Sequence, residues 1–114
     1  MLSTMSRDIP ERDWKAFREI HPVARARFCE RVLSEITSAS SAPGQDAHER
    51  YLKVFELLRD KDKELAMLFD NPRRSRALGQ LSMIASAGLL TDEELSRFAP
   101  ENRKSMSVFI SHRI

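Results

Sequence analysis

The stretch from Asp46 to Phe69, DAHERYLKVFELLRDKDKELAMLF, is the longest unbroken helical pattern in the chain, and it limits what the rest can build. Tyr51, Leu52, Phe55, Leu58, Leu65, Ala66 and Phe69 recur at three- and four-residue steps, while Arg50, Lys53, Glu56, Lys63 and Glu64 fill most of the other angles. That pattern predicts an amphipathic helix with one core face, roughly 36 Å long at about 1.5 Å per residue. Asp46 and Glu49 stand at capping-box spacing, and Asn71-Pro72 ends the run because the residue before a proline is pushed out of helical geometry. A helix with such a stripe needs neighbours to cover it. We therefore expect an all-α fold, one domain built as a bundle of roughly four to six helices with this long helix at its centre.

The flanking segments supply the expected neighbours. Upstream, DIPERDWKAFREI has Asp8 as a cap, Pro10 in the first turn and Glu11 at capping-box distance, with Trp14, Phe17 and Ile20 or His21 on one face. Residues 1–7 precede this helix and read as a frayed terminus, with Met5 as an alternative start. Pro22 is read as opening a second helix, PVARARFCERVLSEI, whose stripe is Val23, Ala26, Cys29, Val32, Leu33 and Ile36, with Phe28 at its margin. Arg25, Arg27 and Arg31 then fall on a solvated face, with Arg31 four residues from Glu35. Residues 38–45, SASSAPGQ, form a loop.

Downstream, Asn71 as a cap with Pro72 at the first helical position opens another helix, whose apolar face is Ala77, Leu78, Leu81, Ile84 and Ala85. Gly88 followed by Leu89 has the form of a helix stop in left-handed geometry, and Thr91 to Glu94 is a full capping box. Leu95 and Phe98 face inward from that short helix, and Pro100 closes it. Met106, Phe109 and Ile110 then pack as a terminal helix.

Taken together, ERDWKAFREIHPVARARFCERVLSEI, HERYLKVFELLRDKDKELAMLFDNPRRSRALGQL and GLLTDEELSRFAPENR resemble a group of small bacterial proteins of unassigned function. The resemblance implies a small cytoplasmic bacterial protein and carries over no catalytic residue. The segment LGQLSMIASAGLLTDEELSRF is also similar to a short helical hairpin found at the C-terminus of many bacterial proteins, which implies support of oligomerisation; the sequence departs from that pattern at Pro100, where a longer basic helix is usual.

Chemistry is sparsely represented. Nineteen Lys and Arg against seventeen Asp and Glu leave +2, too small an excess to imply a nucleic-acid partner by itself. A lone cysteine, Cys29, rules out an internal disulfide and reads as a small apolar side chain. His21, His48 and His112 stand far apart, so neither a metal nor a cofactor is expected. RDKDKE spaces Asp60, Asp62 and Glu64 like calcium-loop oxygens but lacks the glycine and the twelfth-position glutamate, and reads as a charged face. Asp62 alone lies on the apolar side, where a carboxylate would need a structural partner. With no catalytic motif and no apolar run long enough for a membrane, we expect a cytoplasmic, non-enzymatic protein.

Its expected partner is a second copy or another protein, met through an apolar face including Met67, Met83, Leu89 and Leu90. The alternative is a nucleic-acid-binding regulator whose phosphate contacts are Arg73, Arg74 and Arg76. Those arginines begin a segment, 72–114, with seven basic against four acidic residues, whereas 46–71 has five against seven.

Overall fold

The computed structural model describes residues 9–104, and every regular element among them is helical. In chain order these are α1 (Glu11–Ser40), α2 (Ala47–Phe69), a 3-10 turn (Arg74–Arg76), α3 (Ala77–Ser86) and α4 (Asp92–Leu95), followed by a helical turn at 100–104. The all-α expectation holds. The expectations for residues 1–7, Asp8, Met106, Phe109, Ile110 and His112 lie outside the described residues.

The longest helix is α1, not α2. Pro22 sits inside its 30 residues instead of opening a second helix. The proline removes one backbone donor, but its ring is on the exposed side, and the buried positions keep helical register across it: Asp13, Phe17, Ile20, His21, Ala24, Phe28 and Val32. Burying three or four large apolar side chains on one continuous face, each worth about 1.5–3 kcal/mol, outweighs a proline penalty of about 3 kcal/mol. The same register corrects the expected stripe: Ala24 and Phe28 face inward, while Val23, Ala26 and Leu33 are exposed. The helix also runs on to Ser40, shortening the expected 38–45 loop to Ser41–Asp46.

A short connection makes α1 and α2 antiparallel. Arg50 donates to the Ser40 carbonyl at one end of the pair (2.7 Å), and the His21 imidazole Nε2 meets the Phe69 carbonyl at the other (2.9 Å). Because a carbonyl only accepts, that nitrogen carries the proton. The expected capping box starts α2: the Glu49 N–H donates to Asp46 (2.8 Å) and the Asp46 N–H to Glu49 (2.9 Å).

After α2, Asn71 takes a left-handed φ of 54° and reverses the chain, so it does not cap the next helix, and α3 begins only at Ala77. The end of α3 matches expectation: Gly88 has φ 75°, the Gly88 N–H donates to the Ala85 carbonyl, and the Leu89 N–H reaches back to that of Ile84. This closure carries Leu89 into the core.

The core lies at one end of a molecule measuring 61 × 25 × 25 Å. One cluster joins Ile9, Phe17, Ile20, Leu81 and Phe98; the next joins Ala24, Phe28, Val32, Leu68, Phe69, Ile84 and Leu89. Beyond them, from Leu33 round the loop to Met67, no residue is buried. The protein is thus a packed head and a two-helix arm made from the far halves of α1 and α2.

Candidate functional site

The arm presents a broad apolar surface. Leu33 is 57 % exposed, Tyr51 66 %, Phe55 53 % and Leu58 51 %, with Leu52 at 42 %. On α2 the side turned toward α1 is instead Arg50, Val54, Leu57, Lys61, Glu64 and Leu65, the half-buried positions, which recur at three- and four-residue steps up to Glu64 and Leu65. The stripe Tyr51, Phe55, Leu58 lies about 100° round the helix from that seam. The expected core face of this helix is therefore a solvent face over its first three turns, and only Leu68 and Phe69 are buried.

Beside this stripe runs a groove of about 170 Å³ between the two helices, lined by Phe28, Cys29, Val32, Leu33, Ile36, Leu58 and Leu65, with Lys61 and Asp62 at its rim. Leu33 and Leu58 belong to both the groove and the exposed stripe. Asp62 is exposed, so the carboxylate enters no interior site. Lys61 is held by Glu64 at 3.3 Å. Cys29 is half-buried in the groove wall with a free thiol, and His48 is exposed in the first turn of α2.

The four residues expected to form a partner face do not come together. Met67 is 59 % exposed, but it lies nine positions after Leu58 and so on the opposite side of α2. Leu89 is buried, and Met83 and Leu90 pack half-buried against the core clusters. The apolar side chains of the hairpin-like segment 78–98 are likewise turned inward, as Leu81, Ile84, Leu89 and Phe98.

The arginines expected to contact phosphate are clasps within the chain. Arg74 donates to the Ile9 carbonyl (2.9 Å) and to Glu11 (3.0 Å), fastening the 3-10 turn to the start of α1. Arg76 donates to the Asp70 and Asn71 carbonyls, and Arg73 to the Asn71 side chain. Those carbonyls lie at the end of α2, where the helix dipole favours cations.

Three polar features of the head have no counterpart in the sequence reading. Asp13 is wholly buried and accepts from the Ala99 N–H and from the Asn102 side-chain amide, tying α1 to the 100–104 turn. Arg27 and Arg31 are not on a free solvated face. Arg27 forms a two-pronged pair with Glu94 (2.7 and 2.9 Å) and also donates to the Leu89 carbonyl, while Arg31 donates to the carbonyls of Ala87 and Gly88. The hydrogen bond from Arg27 is the main reason the Glu94 carboxyl falls from its ordinary 4.5 to about 2, assisted by the Thr91 N–H in the capping box and opposed by partial burial. Gln80 is buried and donates to the Leu68 and Asp70 carbonyls at the end of α2.

Among the described residues no three His, Cys, Asp or Glu side chains are grouped as a metal site, and no helix is long and apolar enough to cross a membrane. The chain matches no protein-family model, no curated protein and no solved structure.

Proposed function

We propose that this chain is a non-enzymatic interaction protein whose working surface is the apolar side of the α1–α2 arm, and that the partner bound there is a protein. The observation carrying this reading is the run of Leu33, Tyr51, Leu52, Phe55 and Leu58, each large, apolar and at least two-fifths exposed, beside a groove with apolar walls. Contiguous apolar surface of this kind is characteristic of docking sites, and Tyr, Phe and Leu at helical spacing suit helix-to-helix packing. We place the protein in the cytoplasm, where the single thiol of Cys29 stays reduced. Phosphate contact by Arg73, Arg74 and Arg76 gains no support from guanidinium groups already engaged with backbone carbonyls, Asn71 and Glu11.

A photo-crosslinking side chain at Phe55 or Tyr51 tests the reading in intact cells, with the exposed head position Lys15 as the control. Protein adducts from the arm positions and none from Lys15 are expected. Labelling confined to Lys15, or no adduct from either arm position, would overturn it.

A further inference from the structure

The partner that the arm's own geometry fits is a second copy of the arm. We propose that two chains dock these faces antiparallel about a two-fold axis, forming a four-helix bundle in which Phe55 of each copy enters the groove of the other. This rests on the arm being a protein-binding surface and names what binds.

Self-docking about a two-fold requires one patch to carry both a projection and its matching recess, displaced to either side of the axis. The arm has both. Phe55 is a half-exposed aromatic knob on the stripe, with the Arg59 guanidinium over one face of its ring at 5.8 Å, and the groove of about 170 Å³ is close to the roughly 150 Å³ that accommodates a benzene ring. The α2 residues lining the groove are Leu58, Lys61, Asp62 and Leu65, so its centre lies six or seven residues, about 10 Å, beyond Phe55 and about 70° round the helix toward α1. The axis then passes close to Leu58, which meets its own counterpart, while Tyr51 extends to the level of the partner chain's Leu65.

Area agrees with this occupant. Five large side chains about half exposed leave on the order of 500 Å² of apolar surface, taking roughly 200 Å² for each when fully exposed. A standard interface buries about 800 Å² per partner and is about 60 % apolar, so the stripe, the groove walls and a polar rim meet that requirement at its lower end.

Sedimentation equilibrium of the whole chain from about 1 µM to about 500 µM tests the proposal, with Phe55→Asp alongside and helicity followed by circular dichroism. The wild type is expected to pass from one chain mass to two, and Phe55→Asp to weaken that step at least 100-fold with helicity kept. Because the axis falls near Leu58, Leu58→Cys in a Cys29→Ser background is expected to form a disulfide dimer on mild oxidation, whereas Met67→Cys, on the far side of α2, is not.

That pair of cysteine variants decides the matter even if Phe55→Asp unfolds the arm. A wild type that stays monomeric throughout, a dimer indifferent to Phe55→Asp, or crosslinking at Met67→Cys instead of Leu58→Cys would each overturn self-docking. A strict monomer whose arm crosslinks a different protein in cells would leave the interaction reading standing, and a monomer without arm adducts would remove both.

Discussion

Phe17 and Phe98 at the head of the molecule are closed off from solvent, whereas Phe55 and Tyr51 on the arm are more than half exposed, although all four sit at apolar positions of a helical pattern. The difference lies in what each helix meets. In the head, α1 is flanked by α2, α3 and the 95–104 segment, so one stripe is covered from several sides. In the arm, among the described residues, α1 and α2 meet only each other, and two helices half-bury one seam while leaving a second side open. Polar groups follow the same division. The head uses Arg27, Arg31 and Asp13 to tie together segments far apart in the chain, whereas the arm's Arg50 and Arg59 reach neighbours within ten residues: Arg50 the Ser40 and Gln45 carbonyls, and Arg59 the Asp60 carboxylate and the face of the Phe55 ring, surface contacts that contribute little.

Substitution of matched aromatics gives the largest contrast. Phe17→Ala is expected to destabilise the monomer by about 3–5 kcal/mol in urea unfolding, and Phe55→Ala by less than about 0.5 kcal/mol at micromolar concentration or below. A comparable loss from both would erase the distinction between head and arm. Next, Asp13→Ala leaves the Ala99 N–H and the Asn102 amide without their acceptor, and a loss of about 2–3 kcal/mol in the same assay is expected.

Arg27→Met should cost roughly 2 kcal/mol at neutral pH by removing hydrogen bonds to a charged group. The sign of its pH dependence is set by Glu94. A carboxyl held at about 2 in the folded state, against an ordinary 4.5, contributes stability that is complete above about pH 4.5 and is lost as pH falls toward 2. Thermal melts in Arg27→Met should therefore show a shallower decline through that window than the wild type. The smallest effect belongs to Asp62→Leu at the groove rim: monomer stability within about 0.5 kcal/mol of wild type, but self-association strengthened about tenfold by sedimentation.

Features specified by close neighbours along the chain are legible in the sequence. The boxes at Asp46/Glu49 and Thr91/Glu94, and the Gly88 stop with its trailing Leu89, depend on contacts within a few residues and form as their spacing predicts. Pro22 misleads because its local penalty is visible in sequence, while the buried register that overrides it spans Asp13 to Val32 and depends on helices elsewhere in the chain. Asp13 and Arg27 are hidden for a related reason: a charged residue on a helix reads as solvated until its partners, 86 and 67 positions away, are brought beside it.

The arm stripe is legible as a pattern, but its environment is not. Periodicity records that a helix face is apolar; it does not record which molecule covers it. Tyr51, Leu52, Phe55 and Leu58 would look the same in sequence whether α3 or a second chain lay against them. The stripe's location beyond the last buried residue, not its composition, separates the two cases.

Amide hydrogen exchange followed at several protein concentrations is the most direct examination of the division between a self-sufficient head and an uncovered arm. At about 1 µM, amides of α2 from Tyr51 to Leu58 should exchange far faster than those of α1 from Phe17 to Phe28. Raising the concentration toward 500 µM should slow the arm and leave the head unchanged. Arm amides as slow as those of the head at the lowest concentration, with no response to added protein, would contradict it.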